Sequence, residues 1–166
     1  LGTIVGVDKA LNSLEIVDGQ QRLATTVIFL CELRNYLISL EPIIADDITK
    51  SFLTDIDRTK KEEVAKMQLN VADNEFFKSL IKSGGKTLPS SKPSHKLIEH
   101  AFQLSRKQIK NIVAGFSAKD HGDLLNKWIN FIEDKAVVIL LTVADNINAY
   151  KMFETLNDRG LKTSQS

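Results

Sequence analysis

Between Leu14 and Thr26 the chain reads LEIVDGQQRLATT, and its apolar spacing changes there from that of a strand to that of a helix. Leu14, Ile16 and Val17 predict a short strand, and an apolar-rich helix begins directly after Asp18-Gly19. Asp18 is expected as the N-cap, accepting from backbone N–H groups of the first turn. Gly19 allows a tight turn and a close approach of the main chain to whatever lies beyond it. Gln20, Gln21 and Arg22 then fill the first helical turn, where a lone arginine opposes the helix dipole. A bound anion between the guanidinium and the helix amides resolves that opposition. Strand, glycine turn and helix N-terminus together make a ready anion site, with phosphate the usual guest. The plain alternative is an ordinary capped helix whose polar first turn faces water.

Composition sets the outer limits. With 166 residues, 43% of them apolar and 26% charged, the chain is long enough for one domain with a real core. A net charge of +1 announces no global field for nucleic acid, yet leaves room for a local basic patch. The lone cysteine, Cys31, falls in the apolar run of the first long helix and reads as a small buried hydrophobe. No internal disulfide can form, which fits a reducing, cytoplasmic setting. Ala136–Ala144 is too short to span a bilayer and no signal peptide opens the chain, so no membrane partner is expected.

Taken in order, residues 1–7 and 14–17 predict a β-hairpin, and a helix is expected from Gln20 to about Leu40, its first half buried nearly all round. A short helix is expected over 46–56 with Ile48, Phe52 and Ile56 inward, then a charged turn over 58–63. Residues 64–71 are open between strand and helix, with strand the preferred reading. Asp73 is expected to cap a helix that Gly84-Gly85 stops, and 84–93 reads as a loop, the best candidate in the chain for disorder. From Ser94 a long helix carries Ile98, Phe102, Ile109 and Ile112 inward, with Lys107 opposite that face and Arg106 and Lys110 on its flank. This charged strip reads as solvated surface, with a DNA-backbone contact as the less favoured alternative. Leu124, Leu125, Trp128, Phe131 and Ile132 are the expected buried set of the next helix. AVVILLTV over 136–143 suits a fully buried central strand, and a last helix over about 146–157 ends before Gly160. The expectation is an α+β fold, mostly helical with a small mixed sheet.

IVDGQQRL over 16–23 resembles the signature of the N-terminal domain of GmrSD-type restriction endonucleases, in a superfamily with ParB partition proteins and sulfiredoxin. A second segment, FETLNDRGL over 153–161, resembles that family's F-x-x-L-N-x-R-G hallmark, and ADNEFFKSLI over 72–81 is similar as well. Ala24 departs from the family's usual threonine, and Lys162-Thr163 from its Pro-Ser. The resemblance implies a ParB-like core in which Gly19 and Arg22 hold nucleotide phosphates, with Gln20, Gln21, Asn157 and Arg159 as further nucleotide contacts. It implies an NTP with Mg²⁺ as ligand, DNA as a partner of the full-length protein, and a separate His-Me-finger (HNH) nuclease domain or subunit. It also implies that the chain is a piece cut at both ends, one domain with a hairpin and first helix over 1–41, a helical insertion over about 43–134 and a strand–helix over 135–166.

The same residues have simpler roles available. Asp18 is a structural cap, or a Mg²⁺ ligand beside phosphates; no other metal ligand is assigned. Hydrolysis, where it occurs, would draw on Arg22 and Asp18. Asn157 and Gly160 make a bland helix end, and Arg159 complements the dipole there. His95, His100 and His121 lack metal-ligand spacing, and Glu133-Asp134-Lys135 with Asp123 is better explained as a helix end than as a nuclease centre. No nuclease site is therefore expected within the chain. The expected function is an NTP-binding, NTP-hydrolysing regulatory domain of an anti-phage DNA restriction enzyme. The alternatives are a non-catalytic nucleotide-dependent DNA-binding module and a protein-interaction scaffold.

Overall fold

The computed structural model describes residues 2–9, 13–86 and 92–163, with 156–163 as backbone only. Its elements are α+β, and the chain divides into one unit of Leu1–Leu23 with Ile132–Ser166 and another of Ala24–Phe131.

In the first unit, β1 (Gly2–Lys9) and β2 (Ser13–Asp18) pair antiparallel. β5 (Val138–Val143) runs parallel to β1 on its other side, giving the order β2-β1-β5. The helix after β5, α6 (Asn146–Thr163), lays Ala149 and Met152 against Val5, Val7, Val17 and Val143. Burying that apolar cluster is what holds strand and helix together. The register slips between Val5 and Gly6, with Val5 opposite Asp18 and Gly6 opposite Ile16. Such a bulge bends the end of a strand, and here it turns β2 into the first helix.

The second unit is helical apart from one hairpin. α1 (Gln20–Leu37) enters it, followed by α2 (Pro42–Ile48), a π-helical turn (Thr49–Leu53), and the hairpin β3 (Thr54–Asp57) and β4 (Glu62–Ala65). Next come α3 (Asn74–Ser83), α4 (Pro93–Val113), a 3-10 turn (Ala118–Asp120) and α5 (His121–Lys135). Its buried side chains include Leu33 and Leu37 of α1, Phe77 and Leu80 of α3, Phe102 and Ile109 of α4 and Leu125 of α5. Gly84 takes a left-handed conformation (φ 67°) at the end of α3, and the Gly85 N–H closes on the Leu80 carbonyl at 2.7 Å. This is the glycine stop expected from the sequence.

Several expectations are corrected. The helix expected over 46–56 breaks into α2, a π turn and β3, leaving Ile56 69% exposed. The charged turn lies inside the β3–β4 hairpin, whose second strand ends at Ala65 instead of running to Val71. β5 is a sheet edge and not a central strand, with Ile139 and Leu140 more than half exposed. α1 ends at Leu37, and its buried positions begin only at Ile28. Trp128 and Phe131 are exposed, and α6 continues through Gly160 to Thr163. Asp73 makes no side-chain cap bond. Within the predicted loop, 87–91 lie outside the described residues. Among the described residues no helix is long and apolar enough to cross a membrane.

Candidate anion site at the start of α1

The bulge delivers the chain to Gly19, whose φ of +94° is open to glycine and strained for other residues. The Gly19 carbonyl accepts the first helical bond, from the Leu23 N–H at 3.1 Å. Gly19 therefore occupies the N-cap position, and Asp18 stands one residue outside it. The helix geometry leaves the first-turn amides without acceptors inside the helix.

Asp18 does something other than cap. Its Oδ2 accepts from Arg22 Nη2 at 3.1 Å, one helical turn on, with the two side chains 29% and 42% exposed. The arginine that opposes the dipole is thus met by a carboxylate of the chain itself. Around it the backbone is close. A Cβ on Gly2 (φ +88°) would lie 2.6 Å from Arg22 Nη1, and one on Gly19 would lie 2.9 Å from Ile4 Cγ1 and 3.5 Å from Arg22 Nη2. The guanidinium sits between two glycines of unusual φ, beside an acid, at the mouth of a helix.

Gln20 turns its amide back to the Ile16 carbonyl, fastening strand to helix. Gln21 is exposed. The structure brings Asp18, Gly19 and Arg22 together with Gly2, which sequence reasoning missed because nothing local marks it. The side chains of Asn157 and Arg159 lie outside the described residues, so their predicted share in the site has no geometry here.

Two of the singled-out histidines have structural partners. His95 stacks on Phe76 at 3.9 Å and lies 3.4 Å from Asp73, while His121 Nδ1 meets the Tyr36 hydroxyl at 2.9 Å. Hydrogen bonds from Ser94 and Asn70 hold the Asp73 carboxyl below the usual carboxylate range. Burial pushes the Cys31 thiol up. Among the described residues no group of three potential His, Cys, Asp or Glu ligands could hold a metal. Sequence reasoning also missed the ion pair between Arg106 and Glu32, the latter 3% exposed. The signal was present, since a glutamate inside the apolar run of α1 needs a partner if buried.

Residues 1–166 match the family of the GmrSD restriction endonuclease N-terminal domain. The chain belongs to that family. No curated protein matches it. Membership in the GmrSD family ties the chain to a restriction system and implies DNA and a nuclease domain as its partners. Arg22 and Gly19 both lie within the matched residues.

Proposed function

We propose that this GmrSD-family domain binds an NTP through the Gly19–Arg22 turn and hydrolyses it to control a nuclease domain outside residues 1–166. The observation that carries the reading is the guanidinium of Arg22, half-exposed at a helix N-terminus between Gly2 and Gly19. An exposed Asp–Arg pair is worth roughly 0–1 kcal/mol. A phosphate taking the same guanidinium gains charge-assisted bonds of roughly 1.5–3 kcal/mol each, with the helix amides in addition. Phosphate therefore displaces Asp18, and the carboxylate released lies beside the bound group.

For phosphates the residues fit; for a metal held by the protein they do not. Asp18, once displaced from Arg22, offers a single carboxylate, and the described residues supply no cluster of three ligands. Mg²⁺ would be held by the nucleotide phosphates, an arrangement that needs few protein carboxylates. A second reading is nucleotide-dependent DNA or protein binding without turnover. Phosphate release by the full-length protein, with and without Arg22→Ala, separates the two. Turnover lost in the variant supports hydrolysis, whereas nucleotide binding without turnover in the wild type supports the second reading.

A further inference from the structure

We propose that the exposed strip of α4 formed by Gln103, Arg106, Lys107 and Lys110 is a docking face for the sugar–phosphate backbone of DNA. These positions are spaced i, i+3, i+4 and i+7, so they share one face of the helix, and all are exposed. From Gln103 to Val113 the sequence carries Arg106, Lys107 and Lys110 and no acid. In a chain of net charge +1 this is a local concentration of positive charge.

Arg106 separates the strip from an ordinary solvated face. Its Nε and Nη2 donate to Glu32 at 3.0 and 2.9 Å. Asn35 Nδ2 steadies the same carboxylate at 3.5 Å. On the other side, a Cβ on Gly85 would lie 2.5 Å from Glu32 Oε1 and 2.9 Å from Arg106 Nη2, so backbone packs directly on the pair. The guanidinium is held in one orientation, yet the side chain stays 45% exposed, and the two bonds to Glu32 use only two of its five N–H donors. Hollows of about 240 and 400 Å³ flank it, with Lys110 lining one and Lys86 and Glu99 the other. Glu32 and Arg106 neutralise each other, so the surplus charge along the strip is that of Lys107 and Lys110. Dipole complementation accounts for Lys110 at the helix end. The buried Glu32 accounts for the ion pair itself, and the guanidinium edge left facing solvent is thereby held in one place, which lowers the ordering cost of an anion contact.

The inference rests on the DNA partner that the restriction family implies, and not on the nucleotide site. Fluorescence anisotropy of the chain with a labelled duplex of mixed sequence, over a series of NaCl concentrations, tests it. Lys107→Ala and Lys110→Ala should weaken binding alike for all sequences, each lowering the salt exponent by about 1. Arg106→Gln should weaken it further. Absence of duplex binding at low salt overturns the proposal, as do unchanged exponents in both lysine variants. Arg106→Gln also leaves Glu32 buried and unpaired, so the lysine variants keep the test independent of stability. Competition with inorganic phosphate and with NTP separates a backbone site from one for free phosphate. Loss of NTP binding in the lysine variants with duplex binding intact overturns the proposal.

Discussion

Arg22 donates to Asp18 at 3.1 Å across the first turn of α1, so the residue best placed to meet a phosphate is already held by an acid. Because both side chains reach solvent, the pair is an exchangeable contact more than a structural brace. Asp18 occupies the place that a ligand oxygen would take.

Competition of that kind has a direction. Asp18→Asn should raise the affinity for NTP and for inorganic phosphate by up to about fivefold, because an exposed pair is worth about 1 kcal/mol at most. Thermal stability should change little. If Asp18 also serves turnover, phosphate release at saturating NTP falls in the same variant. Titration calorimetry and a phosphate-release assay read the two effects separately, and weaker binding in Asp18→Asn would show that the carboxylate helps the ligand.

Glycines can be ranked by what surrounds them. Gly85→Ala forces a side chain into φ +74° and places its Cβ against Glu32 and Arg106. It should cost about 1–3 kcal/mol in urea unfolding. Gly115→Ala meets nothing within 4 Å, and should be neutral or stabilising by less than about 1 kcal/mol.

Acid should act through Asp73. Hydrogen bonds from Ser94 and Asn70, and the neighbouring His95, lower its folded-state pKa below the unfolded value. Ionised Asp73 then contributes stability that is fully present above the unfolded pKa and is lost as pH falls through the folded one. Asp73→Asn should be less stable than wild type at neutral pH, and the difference should shrink below about pH 4. Urea midpoints across that range give the comparison. A constant difference would contradict the assignment.

The sequence made legible those features that local spacing controls. The β1–β2 hairpin, the strand-to-helix change at Gly19 and the glycine stop at Gly84-Gly85 all follow from residues near one another in the chain. What escaped depends on distant partners or on weak patterns. β3 reads TDID, too polar to show apolar alternation, and Ile56 is exposed. β5 has a run apolar enough for a central strand, but strand order is a property of the sheet, and β1 takes the middle. At the site, Gly19 and Arg22 were legible, whereas the Asp18 contact depended on whether the helix began at residue 19 or 18. A one-residue shift moves Asp18 out of the cap and across from Arg22. Gly2 and the Glu32–Arg106 pair needed coordinates, because their partners are far away in sequence.

The most direct measurement is calorimetric titration of the chain with ATP, GTP, CTP and UTP, for the wild type and for Arg22→Ala. The account predicts binding of at least one nucleotide, weakened about ten- to a hundredfold by the substitution. Equal affinity in the two proteins, or no heat with any nucleotide, would contradict it.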